Sequence, residues 1–423
     1  MKSPSLFPRV AGAARGWMLY ETYQAQSDLM DPLRAFAGMA ARNMATAFGA
    51  SAPRSPMRNL GAAYDLMSRA RLTHTRPDYG IASVTIGEQD VAVTEEAADV
   101  TPFGTLLRFR KETADASQPR VLVVAPLSGH FATLLRATVR TMLPEHDVYI
   151  TDWHNARDVP VTAGAFGFDD YVGHLIRFLD KIGPGAHIVA VCQPCVAALV
   201  AASVMAQGNH PAQPASLTLM AGPVDTRVSP TKVNDLAKSK SIDWFDKNLI
   251  ATVPRRFGGG GRRVYPGFVQ LAAFMSMNLD RHIKAHRDLY DHIAAGDLAK
   301  AAQTKAFYDE YFAVLDLTAE FYLETVRLVF QEHALPLGAL TYDNQKVEPR
   351  AIRRTTVFTV EGEKDDICAV GQTLAAHDLC ASLRPYRKRH HLQAGVGHYG
   401  VFSGRTWQNQ IYPMVKNVIL QSD

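Results

Sequence analysis

Apolar residues recur at three- and four-residue steps over residues 29–48 (Met30, Leu33, Phe36, Ala37, Ala40, Met44 and Phe48), which predicts an amphipathic helix that Asp31-Pro32 would start. SAPRSPMR at 51–58 breaks that pattern, and residues 60–72 resume it. From Ile81 the period drops to two, so SVTIGEQDVAV and GTLLRFRKE predict antiparallel strands. From Arg120 the rhythm changes to short apolar runs: VLVVAP (121–126), DVYITDW (147–153), HIVAV (187–191) and SLTLMAG (216–222). Helical stretches near 131–143, 168–181 and 194–206 separate them. Strands alternating with helices predict a mostly parallel sheet covered on both faces. The alternation stops near 224 and returns at 355 with TTVFTVEG, a helix near 369–381 and RKRHHLQAG. The residues between are helical in character, including 307–332 with Phe307, Tyr311, Val314, Phe321 and Val329 on one side. No internal repeat is present. The expected organisation is α/β: N-terminal helices and antiparallel strands over 1–115, a core over 116–223 and 351–423, and an inserted helical cap over 224–350.

Length agrees with this division, since 423 residues at about 150 per domain make two or three units. Hydrophobic residues make up 47%, enough for a large core, which excludes a disordered or collagen-like chain. Lys and Arg number 45 against 41 Asp and Glu, a net charge of +4 too weak and dispersed to argue for nucleic acid. Four cysteines in so long a chain (Cys192, Cys195, Cys368, Cys380) point to a reducing, cytoplasmic compartment. Arg9, Arg15 and Glu21 interrupt any apolar export leader. Residues 188–206 carry no formal charge and are about long enough to cross a bilayer, but Gln193-Pro194 divides them, so a buried strand and a buried helix fit better. RRFGGGGRR at 255–263 lacks the Gly-Lys-Ser/Thr ending of a phosphate cradle and reads as a flexible, solvated loop.

The sharpest chemical feature is a strand running straight into a helix through Cys192-Gln-Pro-Cys195. α/β-Hydrolases set their nucleophile on such a bend, usually G-x-S-x-G, because strand and helix backbones approach closely there. Ala190 and Pro194 hold the two flanking places, and Pro in a first helical turn gives up an N–H that would have gone unpaired. A thiol at a helix start also gains thiolate character from the dipole. The same four residues form a C-x-x-C, but redox modules of that kind are small, and this motif lies inside a long run of strand–helix units. Zinc would need a second ligand pair, which Cys368 and Cys380 are too far apart in sequence to supply, so no metal or other cofactor is expected. Cys195, Cys368 and Cys380 read as small core residues.

A cysteine nucleophile needs a base and a group to orient it, in the chain order nucleophile, acid, histidine. Asp365, in G-x-x-D after TTVFTVEG, fits the acid better than its neighbour Asp366; Asp225, just past SLTLMAG, is the alternative. His398, between glycines in GVGHYG, fits the base. Backbone N–H groups of Gln193 and of Leu127 or Ser128 would form the oxyanion hole, with Gly129, His130 and Tyr399 as pocket candidates.

VCQPC, APLSGHFATLLR, VYITDWHNARDVP, EGEKDDIC and GVGHYGVFSG together resemble the intracellular polyhydroxybutyrate depolymerases, α/β-hydrolases related to polyhydroxyalkanoate synthases. The resemblance covers the chain from about Val121 onward and is weaker over the N-terminal helices. It implies a Cys192–Asp365–His398 triad that cleaves storage polyester on cytoplasmic granules through a thioester acyl-enzyme. Ala190 and Pro194 in place of glycines favour the depolymerases over the synthases. A synthase-like acyltransferase and a catalytically idle granule-binding protein are the alternatives. The expected partner is the granule surface or polyester chain, with no nucleic acid and no transmembrane segment, and with room left for a homo-oligomer.

Overall fold

The computed structural model describes residues 12–48, 53–112 and 118–423. Residues 1–11 of the stretch in which no export leader is expected, residues 51–52 of the 51–58 break and the boundary drawn at 115 lie outside them.

Nine strands form the main sheet: β1 (Ser83–Ile86), β2 (Gln89–Val100), β3 (Gly104–Lys111), β4 (Arg120–Val124), β5 (Asp147–Trp153), β6 (His187–Val191), β7 (Ser216–Met220), β8 (Thr356–Gly362) and β9 (Lys388–Gln393). Their spatial order is β1-β2-β3-β5-β4-β6-β7-β8-β9. Pairing is antiparallel from β1 through β3 to β5 and parallel from β5 to β9. The antiparallel strands over 83–111 are therefore one flank of the main sheet. Local periodicity announces such strands but not the distant partner, here β5, that they pair with.

β4 and β6 are apolar throughout because both faces are covered. Leu122, Val124, Ile188 and Ala190 enter one core, while Val121, Val123, Val189 and Val191 enter the other. The helix Cys195–Gln207 is buried on nearly every side against the first of these. That burial accounts for the uncharged 188–206 stretch without a membrane, and no helix among the described residues is long and apolar enough to cross one.

The first helix runs Gly12–Phe48, straight through Pro32, so Asp31-Pro32 does not start it. Contacts with the inserted segment hold the earlier turns: Tyr23 stacks on Phe268 at 4.0 Å, and Tyr20 donates a hydrogen bond to Asp316 at 2.6 Å. Leu33 and Phe36, expected on a core face, are exposed.

Between β7 and β8 lie six helices, from Lys232–Ser239 to Ala319–Thr325, with a small sheet of Ala251–Thr252, Arg263–Tyr265 and Leu317–Thr318. The helical run expected over 307–332 is broken after Tyr311 by the last of these strands. The helix expected near 369–381 shrinks to one turn, Ala376–Leu379. RRFGGGGRR is not a free solvated loop either. A Cβ on Gly258 would lie 2.5 Å from the Asp158 carbonyl, and one on Gly259 2.6 Å from the Arg157 carbonyl. Arg262 is buried and donates to the carbonyls of Val159 and Gly164 at 3.0 and 2.9 Å.

Candidate active site

The parallel strands send their C-terminal loops to one edge of the sheet. β4 and β6 are neighbours from which the chain order departs in opposite directions, the place where open α/β sheets form a ligand crevice. Cys192 lies there, directly after β6, with φ of +68°. An L-residue enters that left-handed region at a cost of about 1–3 kcal/mol, and only where its surroundings fix it. They do so here. The Cys192 N–H donates to the Met220 carbonyl at 2.8 Å, and the Cys192 carbonyl accepts the Cys195 N–H at 3.1 Å. Gly222 completes the tight fit, since a Cβ there would meet Cys195 Cβ at 2.2 Å and its Sγ at 2.4 Å. The sharp turn leaves Cys192 half-buried and Cys195 in the core.

His398, on a single helical turn after β9, brings Nδ1 to 2.7 Å from Asp365 Oδ2. The other carboxylate oxygen, Oδ1, accepts the N–H groups of Ile367 and Cys368 at 2.9 and 2.8 Å. Cys192 acts electrostatically on the same imidazole. Burial works against the imidazolium, but the Cys192 sulfur and the Asp365 carboxylate outweigh it and hold the His398 pKa well above its ordinary value. Cysteine, aspartate and histidine from three separate loops are thus gathered at one place, with His398 and Asp365 hydrogen-bonded to each other. The other acids do not join them: Asp366 is exposed, and Asp225 binds Arg227 at 2.7 and 2.9 Å.

The loop after β4 is pinned beside this site. The Ala125 carbonyl accepts Trp153 Nε1–H at 3.0 Å and the Tyr171 hydroxyl at 3.3 Å, while the Ala125 N–H donates to the Thr151 hydroxyl at 2.9 Å. From it the Leu127 N–H donates to the Gln193 side-chain oxygen at 3.4 Å, so Leu127 and the residue after Cys192 face each other. Ser128 is half-buried in the same loop. Gly129 (φ +95°) and His130 serve contacts with the inserted segment rather than an open pocket. The Gly129 carbonyl accepts the Leu315 N–H at 3.0 Å, and the His130 ring stacks on Tyr311 at 5.1 Å and Phe274 at 6.0 Å. Burial depresses the His130 pKa to about 4. Tyr399 is half-buried, edge-on to His398 at 5.8 Å.

All four thiols are free. Burial pushes the thiols of Cys195 and Cys368 well above their ordinary range and that of Cys380 up to about 12, which suits core residues. Among the described residues no group of three or more His, Cys, Asp or Glu is placed to hold a metal ion.

Sequence reasoning missed the support behind the acid loop. Glu361, fully buried on β8, accepts the N–H groups of Gly371, Thr373 and Leu374 at 2.9, 2.7 and 3.0 Å. A glutamate in an otherwise uncharged, fully buried strand is the signal that could have found it.

A nine-stranded, mostly parallel sheet with a strained turn at Cys192 after a central strand and an acid–histidine pair on later loops is the α/β-hydrolase fold. Residues 221–423 match the family model described as "PHB de-polymerase C-terminus". That match contains Asp365 and His398 and begins after Cys192. No curated protein matches the chain. Among solved structures the chain is similar to a putative lipase (lip1) from Acinetobacter baumannii AYE, at 16% identity and a TM-score of 0.41 over 78% of this chain and 93% of that one. It is also similar to a soluble variant of monoglyceride lipase from Saccharomyces cerevisiae, at 10% identity and a TM-score of 0.47 over 80% and 99%. A third is the putative non-heme bromoperoxidase BpoC from Mycobacterium tuberculosis H37Rv, at 15% identity and a TM-score of 0.43 over 80% and 98%. Family and fold together support an esterase or depolymerase activity.

Proposed function

We propose that the chain is an intracellular poly(3-hydroxybutyrate) depolymerase working on the amorphous polymer of cytoplasmic granules through a Cys192–Asp365–His398 triad. The observation that carries this reading is the strained turn at Cys192, which acts electrostatically on the imidazole that Asp365 holds at 2.7 Å. His398 takes the thiol proton, and the sulfur attacks an ester carbonyl of the polymer. The backbone N–H groups of Gln193 and Leu127 receive the oxyanion, the substrate oxygen displacing the Gln193 side-chain oxygen from Leu127. Collapse breaks the C–O bond, and His398 returns its proton to the departing hydroxyl end, leaving a thioester on Cys192. Water, deprotonated by His398, attacks the thioester; the acid leaves and the thiol is restored.

The test incubates the protein with native amorphous granules and measures released 3-hydroxybutyrate and its oligomers. Cys192→Ala is expected to abolish release with the fold intact, and Cys195→Ala to keep most of it. No release by the wild type, polymer growth in its place, or an active Cys192→Ala variant overturns the reading.

A further inference from the structure

A cleft of about 430 Å³, within the span of small-molecule sites, opens between the first helix, the end of the helix Pro56–Arg69 and the inserted helices, with none of Cys192, Asp365 and His398 in its lining. Its walls are largely apolar, from Leu66, Leu72, Met275, Leu289, Tyr308 and Phe312. Four cations also line it: Arg34, Arg69, Arg71 and Lys305. Asp31 pairs with Arg34 at 3.1 Å, Asp65 with Arg69 and Lys305 at 3.3 and 2.9 Å, and Asp309 with Arg69 at 2.7 Å. Three carboxylates thus answer four cations, and Arg71, exposed at the mouth, is the one without an ion-pair partner among the described residues. Deeper in, Arg34 is largely buried and its Nε has no hydrogen-bond partner. An apolar trough with one surplus positive charge and an orphaned guanidinium N–H complements a molecule with an apolar body and a single negative charge. Gln26, Ser27 and His286 add hydrogen-bonding groups along the wall, of use to a chain carrying oxygens at intervals and of none to a plain hydrocarbon. Tyr308 and Phe312 pack in one aromatic cluster with Tyr311 and Tyr399, the residue after His398, so the cleft lies one aromatic layer from the triad.

We propose that this cleft is a second binding site, separate from the catalytic one, for a short hydroxyacid oligomer with one free carboxylate. Identifying that acid as the product of polyester cleavage rests on the function proposed above; the complementarity of the cleft does not.

The test is calorimetric titration of the full chain carrying Cys192→Ala, with the linear trimer of 3-hydroxybutyric acid as probe. Binding at one site is expected, weakened about tenfold or more by Arg71→Glu and by methyl esterification of the trimer, and kept within about twofold by Arg71→Lys. Because Arg71 is exposed, these variants leave the fold undisturbed. Absence of binding, or binding indifferent to Arg71→Glu, overturns the site; decanoate binding as tightly as the trimer overturns the hydroxyacid assignment. Failure of the depolymerase reading would appear separately, as wild-type protein that releases nothing from granules yet still binds the trimer.

Discussion

At Asp365 the two carboxylate oxygens have different work. Oδ1 is committed to the N–H groups of Ile367 and Cys368, leaving Oδ2 for His398 Nδ1. Asp365→Asn keeps an oxygen for the two backbone donors and therefore turns its NH₂ toward the imidazole. An amide donor there favours the tautomer with its proton on Nε2, the nitrogen that must be free to take the thiol proton. Turnover is expected to fall roughly 10²–10⁴-fold with little change in stability. Asp366→Asn is expected to be mild because its side chain is exposed, and Asp225→Asn because its carboxylate serves Arg227. Initial rates on amorphous polymer check all three, and near-wild-type turnover in Asp365→Asn would remove it from the triad. Cys192 and Asp365 could be singled out as candidates in the sequence because each follows a largely apolar strand, and His398 because it sits between glycines after a polar one. The roles of Gly129 and His130 could not be read there, since they depend on Leu315, Tyr311 and Phe274, far away in sequence.

Elements are held together at this site by close packing that leaves no margin. The helix Cys195–Gln207 starts so near the end of β7 that Gly222 has no room for a Cβ beside Cys195. Gly222→Ala must push the helix start away from β7, and with it the turn that carries Cys192. A loss of about 1–3 kcal/mol is expected from overpacking. Turnover should fall further, by about 10²-fold, because misplacing the nucleophile by about 1 Å has that effect. Gly208→Ala is a matched control, since its Cβ would sit an ordinary 3.6 Å from the Val204 carbonyl. Denaturant midpoints and rates on the two variants check the prediction; a stable, active Gly222→Ala protein would show that the helix is free to shift. The strand-then-helix order around Cys192 could be read locally. That β7 supplies the third wall, and that β1–β3 extend the same sheet, depends on pairing across the fold that no local pattern encodes.

Across the whole molecule, buried ionisable groups set opposing responses to acid. Burial, against weaker raising contributions from backbone carbonyls, brings the pKa of His130 and of His146 down to about 4. A histidine depressed in the folded state contributes stability that is present above its unfolded value near 6.5 and is lost as pH falls toward 4. Each shift corresponds to on the order of 3 kcal/mol at its limit. Asp316 acts in the opposite sense. Desolvation raises its pKa to about 6, despite the Tyr20 hydroxyl and the Gly267 N–H that favour its ionised form. Between about pH 4 and 6 the folded chain holds a proton on Asp316 that the unfolded chain has released, so this group adds stability on acidification. The two histidines lose stability as pH falls from 6.5 to 4, and Asp316 offsets part of that loss. Removing the aspartate should therefore steepen that loss. Asp316→Asn keeps an oxygen for the Gly267 N–H and turns its NH₂ toward the Tyr20 hydroxyl, whose oxygen can accept it, and its stability relative to wild type is expected to drop progressively from pH 6 to pH 4. Urea unfolding at pH 7, 6, 5 and 4 measures the difference, and parallel curves for the two proteins would show that Asp316 is already ionised throughout that range.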